Sequence, residues 1–168
     1  MTGQNGAAIN VAGGQTLCLN NLTQNGEVTV DPNGKLSVRG STITGAVTLV
    51  SGFSEFEFCG SETVGGAISA TGGTGPVTIG DTGAGGCGAN TIGGAVTLDT
   101  NQADVTLARN QIQEAVTGTG NVGGTTIAGN AIVGALTCTG NIPAPDNAGM
   151  ANTVGGARFG QTCLNGGF

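Results

Sequence analysis

The chain has 168 residues, 35 of them glycine, with 8 % charged and 3 % aromatic residues and a net charge of −6. Its basic residues, Lys35, Arg39, Arg109 and Arg158, are scattered, so it lacks the basic stripe or stacking aromatics that nucleic-acid binding needs. No apolar run approaches the ~20 residues of a membrane span, yet the Val/Ile/Leu-Thr-Val/Ile/Leu triplets argue against disorder and for half-buried strands.

Residues 1–25 read as an N-terminal cap or first turn. The opening "MTGQNGAAIN" has neither a charged n-region nor an apolar h-region, so no signal peptide is read there; a mature secreted chain and a cytosolic one would both look like this, and the cysteines decide. Asn21 to Thr23, "NLT", is a glycosylation sequon. A first weak repeat, "GEVTV", runs from Gly26 to Val30.

Regular turns follow over 26–140. "STITGAVTL" starts at Ser41, "ETVGGAISA" at Glu62, "NTIGGAVTL" at Asn90, "NQIQEAVTG" at Asn110, "NAIVGALTC" at Asn130 and "NTVGGARFG" at Asn152. These starts fall 21, 28, 20, 20 and 22 residues apart. A period near 20 is a solenoid signature. Helix is a poor repeating unit here, because the triplets are β-branched and Gly recurs inside each module. The expected fold is all-β: a single-domain parallel β-helix of about seven turns of about 20 residues. Each turn is expected to carry a strand at Thr91-Ile92, a second at Ala95 to Leu98 and a third at Asp104 to Leu107. The third strand recurs as "KLSVR", "FEFC", "GPVTIG" and "GTTIA". An insertion at 80–88 lengthens one turn.

Strand alternation sends Ile43, Val47 and Leu49 inward, then Val64, Ile68 and Ala70, then Ile92, Val96 and Leu98. Ile112, Val116, Ile132, Leu136 and Cys138 continue these columns. The third strand adds Leu36, Val38, Phe56, Phe58, Val77, Ile79, Val105, Leu107 and Ile127. Asn90, Asn110, Asn130 and Asn152 fall on one corner. They are expected to form an asparagine ladder, since polar side chains buried by stacking need partners and Asn tolerates left-handed corners.

Residues 141–168 read as a C-terminal cap. "NIPAPDN", Asn141 to Asn147, is a Pro-rich loop, and Arg158 stands where the core column would place Val. A solenoid end needs such a closure. Cys138 and Cys163 flank this loop and are placed to staple it. Cys59 and Cys87 each stand three residues before a module start, at equivalent places on neighbouring turns. Two sensible pairs predict disulfides and an oxidising compartment, secreted or cell-surface. Cys18 is left over.

"NTIGGAVTL", "LTCTGNIPAPDNAGMANTVGG" and the terminal "GQTC" resemble a group of secreted Gly/Asn/Val-repeat proteins of actinobacteria. The resemblance covers roughly residues 41 to 163. It implies export and a β-solenoid and implies no activity. The chain departs from that group in carrying Ala46, Ala67, Ala95, Ala115 and Ala135 where Asn is usual.

Catalysis finds little material. The best carboxylate cluster for glycoside hydrolysis is Glu55 and Glu57 with Asp104 two turns on. No aromatic sugar platform accompanies it. The chain has no His and no CxxC, so no metal or cofactor is expected. The more informative surface is the outward face of the second strand: Ala46 and Thr48, Ala67 and Ser69, Ala95 and Thr97, Ala115 and Thr117, Ala135 and Thr137. The expected function is a non-catalytic extracellular structural or surface-adhesion module. The alternatives are ice binding through this Ala-x-Thr face and a polysaccharide-active enzyme. The expected partners are a second copy of the chain (homo-oligomer or filament), a cell-wall polymer or ice.

Overall fold

A computed structural model describes residues 3–60, 62–83, 87 and 89–168. Among them the chain winds into a parallel β-solenoid of three sheets. The first sheet stacks Gly3–Asn5, Leu22–Gln24, Thr42–Ile43, Thr63–Val64, Thr91–Ile92, Gln111–Ile112, Ala131–Ile132 and Thr153–Val154. The second stacks Ile9–Val11, Val28–Val30, Val47–Leu49, Ile68–Thr71, Val96–Asp99, Val116–Thr119, Leu136–Thr139 and Arg158–Phe159. The third stacks Thr16–Asn20, Lys35–Arg39, Glu55–Phe58, Val77–Ile79, Val105–Ala108 and Thr125–Ala128. Each strand pairs in parallel with its counterpart one turn away, so about seven turns visit the three sheets in a fixed order. A 3-10 turn at Thr162–Leu164 is the single helical element described, and no helix is long and apolar enough to cross a membrane.

The alternation of the sequence produces the core directly. Val47, Ile68, Val96, Val116 and Leu136 are register partners in succession, and so are Ile43, Val64, Ile92, Ile112 and Ile132. All are buried. At ~25 cal/mol per Å2 of apolar surface removed from water, a fully buried aliphatic contributes about 1.5–3 kcal/mol. Every residue expected to face inward is buried. Strands end one residue later than the triplets imply: the second strand reaches Asp99, Thr119 and Thr139, the third Ala108 and Ala128.

Two kinds of corner close each turn. Between the first and second sheets the backbones of successive turns nearly touch. A Cβ on Gly94 would lie 2.6 Å from the Ala67 nitrogen, so the Gly-Gly pair of the module is a packing requirement. The other two corners each use one residue in the left-handed region. Gly72, Thr100, Gly120, Gly140 and Gly160 follow the second sheet; Gly40, Gly80, Arg109 and Gly129 follow the third.

A cap closes the C-terminal end of the coil. At the C-terminal end Arg158 pairs in register with Leu136. Its guanidinium donates to the carbonyls of Asn152 and Phe168, at 2.7 and 3.2 Å. Phe168 is buried over the end of the core, and the Cys138–Cys163 disulfide ties this cap to the second sheet. The Cys59–Cys87 disulfide bridges neighbouring turns beside the insertion at 80–88, of which residues 84–86 and 88 lie outside the described residues.

Candidate binding face and asparagine ladders

The expected corner asparagines form one hydrogen-bonded column. The Nδ2 of Asn90 donates to Oδ1 of Asn110 at 2.8 Å, Asn110 to Asn130 at 3.0 Å, and Asn130 to Asn152 at 2.9 Å. Each amide also donates to a carbonyl at the end of the third sheet, for example Asn110 to Ile79 and Asn130 to Leu107. The column continues upstream through Glu62 and Ser41: the Glu62 N–H donates to Asn90 Oδ1, and Ser41 Oγ accepts the Leu22 N–H. All six side chains are buried. None of the rungs is itself left-handed; before Ser41, Asn110 and Asn130 that geometry falls on Gly40, Arg109 and Gly129. That corrects the reason for Asn here: its amide is needed as donor and acceptor, and it is not the residue that makes the bend.

A second ladder stands at the other left-handed corner, and the sequence reading missed it. Asn101 donates to Asn121 at 3.0 Å, Asn121 to Asn141 at 2.9 Å, and Asn141 to Gln161 Oε1 at 2.8 Å. The same oxygens accept the backbone N–H of the preceding rung. The available signal was the dipeptide Gly-Asn: Gly120-Asn121 and Gly140-Asn141 repeat at the spacing of the first ladder.

Next to the second ladder lies the outward face of the second sheet. Thr29, Thr48, Ser69, Thr97, Thr117 and Thr137 are consecutive register partners. Of these Thr48 is exposed and the others half-buried by their stacked neighbours. Ala46, Ala67, Ala95, Ala115 and Ala135 form a parallel rank; the carbonyls of Ala67, Ala95, Ala115 and Ala135 accept N–H groups from the preceding turn. Because the strands run one residue further than expected, a third rank appears: Thr71, Asp99, Thr119 and Thr139 are aligned in register. Thr139 Oγ1 donates to Thr119 Oγ1 at 3.3 Å, and Asp99 accepts the Thr119 N–H at 3.1 Å. Strand geometry spaces these ranks by ~6.8 Å along the chain and ~4.8 Å between turns. The face ends on Phe159, the register partner of Thr137, which is exposed.

The ion pairs among the described residues lie on the third sheet instead. Lys35 pairs with Glu55 at 3.1 Å, and Arg39 with Glu57 at 2.6 Å. Ser37 also donates to Glu57 at 2.8 Å. Burial pushes the Glu57 carboxyl up, but the hydrogen bonds from Arg39 and Ser37 and the Arg39 charge hold it below the ordinary range. Register aligns Glu57 with Thr78 and Thr106, so Asp104 falls in the column of Glu55. The three carboxylates therefore do not share one row. A cavity of about 300 Å3 opens at the C-terminal cap, lined by Pro145, Asp146, Asn147, Thr162, Asn165 and Phe168. Its one carboxylate, Asp146, accepts from the Ala148 N–H and from Thr126. Among the described residues no group of three or more His, Cys, Asp or Glu is placed to hold a metal ion.

No family model, no curated protein and no solved structure matches this chain.

Proposed function

We propose that the chain is a non-catalytic, extracellular β-solenoid that presents its second sheet as a flat adhesive or structural face. The partner is a second copy of the chain or a hydroxyl-rich wall polymer. The observation that carries this reading is the register alignment of the Ala and Thr/Ser ranks over the turns from Thr48 to Thr137. Along it Asp99 is the single charge, and the ion pairs are confined to another sheet. A flat face of methyl and hydroxyl groups fits a repetitive, uncharged surface, and contiguous faces of this kind mark interaction sites. Two disulfides are compatible with an oxidising, extracellular setting. The test is light scattering at high concentration together with co-sedimentation on insoluble wall polysaccharide. Association or binding that Thr117→Lys abolishes is the expected outcome. A strictly monomeric protein that binds no polymer, or binding that Thr117→Lys leaves untouched, overturns it.

Ice binding is the second reading, favoured by the third rank. Ser69 with Thr71, Thr117 with Thr119 and Thr137 with Thr139 form a two-column hydroxyl net. Its ~4.8 by ~6.8 Å cell is of the size at which water oxygens repeat in hexagonal ice. Inhibition of ice recrystallisation, lost on Thr97→Tyr, is the expected result; an unaffected Thr97→Tyr variant removes this face from consideration. A polysaccharide-active enzyme has the least support, because Glu55 and Glu57 are each engaged by a cation.

A further inference from the structure

The first ladder has one rung that differs from the rest. Ser41, Asn90, Asn110, Asn130 and Asn152 each donate a side-chain hydrogen to a nearby carbonyl: Ser41 to Arg39, Asn90 to Phe58, Asn110 to Ile79, Asn130 to Leu107 and Asn152 to Ile127. Glu62 stands in the same column, 1 % exposed. Its Oε1 accepts the Gly40 N–H at 2.5 Å, while its Oε2 is buried with no hydrogen-bond partner among the described residues. On the next turn, Asn130 Oδ1 receives both the N–H and the Nδ2 of Asn110, as Asn152 Oδ1 does from Asn130. Asn90 Oδ1 receives only the Glu62 N–H. Glu62 is thus the one rung of this column that donates no side-chain hydrogen, and an ionised carboxylate has none to give.

We propose that Glu62 is held as the neutral carboxylic acid, and that its proton fills the donor place that an asparagine amide fills on the other rungs. The head of the ladder is then a proton-dependent latch between the aromatic turns above it and the asparagine turns below. Burial pushes the Glu62 carboxyl above the ordinary glutamate range, with the Glu57 charge adding to the rise. The Gly40 N–H and the Arg39 charge pull the other way without overcoming it. Arg39 and Glu57 are the charged groups whose fields reach this site. A carboxyl whose folded pKa is raised stabilises the fold fully below its unfolded value, about 4.3. That contribution is lost as pH climbs through the folded value, when the unfolded chain has already released the proton.

The full chain with intact disulfides tests this through the melting temperature of wild type and Glu62→Gln between about pH 4 and pH 9. Glutamine keeps the shape and supplies a permanent donor. Relative to Glu62→Gln, wild type should fall by about 2 °C or more across that range, and Glu57→Gln should retain the fall. Infrared difference spectra should show a neutral carboxylic carbonyl at neutral pH in folded wild type, absent after denaturation and absent from Glu62→Gln. Parallel pH profiles for wild type and Glu62→Gln, a fall abolished by Glu57→Gln instead, or no neutral carbonyl at neutral pH would each overturn the proposal.

Discussion

The turns before residue 80 and those after residue 90 solve the stacking problem in different ways. The early turns pack large rings: Phe53, Phe56 and Phe58 are fully buried, with the last two 6.1 Å apart between ring centroids. Their corner column holds Ser41 and Glu62, and both ion pairs lie here. The later turns have a thin core, with Gly118, Cys138 and Ala128 in the buried columns, and two continuous amide ladders at their corners. An apolar core accepts turns of 21 or 28 residues, because apolar contact is non-directional. A ladder asks more: each turn must return the same corner to the same height. Its amide-to-amide bonds span 20 residues, with 22 at the terminal rung, and the 28-residue turn meets the same demand, since the Glu62 and Gly73 N–H groups reach Asn90 and Asn101 across it.

Breaking each half separately tests this contrast. Removing a ring from the early turns should have the largest effect: Phe58→Ala should cost about 4 kcal/mol, measured by chemical denaturation. In a solenoid each turn contacts only its neighbours, so hydrogen exchange should speed up around Glu55–Phe58 and leave Val116–Thr119 protected. Equal loss in both regions would show that the halves are one cooperative unit. Asn121→Ala should cost about 3 kcal/mol, because it strips partners from the buried N–H of Asn101 and the carbonyl of Leu98. Its exchange signature should be the reverse, confined to the later turns. Lys35→Ala, which breaks an exposed pair with Glu55, should cost about 0.5 kcal/mol or less. A larger loss would mean that the early turns also depend on directional contacts.

The contrast also explains what the sequence disclosed. Inward columns were legible because alternation of Val, Ile and Leu with Thr admits one pleat assignment. The first ladder was legible because Asn90, Asn110 and Asn130 open a conspicuous apolar phrase. Asn101, Asn121 and Asn141 open segments as unlike as "NQADV", "NVGGT" and "NIPAP", and their last rung is Gln161, so no phrase announced them. The third rank of the face was hidden for a related reason. Asp99, Thr119 and Thr139 look like loop residues beside Thr100, Gly120 and Gly140. The bend sits wholly on those left-handed residues, which lets the strand run to the residue before. Glu62 was read only as a module start, because nothing in a one-dimensional pattern distinguishes a solvated acid from a buried one.

The recurring twenty-residue winding of the later half has a consequence for the evolution of size. A coil whose neighbouring windings are interchangeable grows by copying one winding, and each copy brings its own two amides and its own aliphatic filling. Length in such a molecule is therefore quantised, in increments of ~4.8 Å. A duplication of another number of amino acids would keep the alignment only by placing its surplus between strands, as the 28-residue turn does.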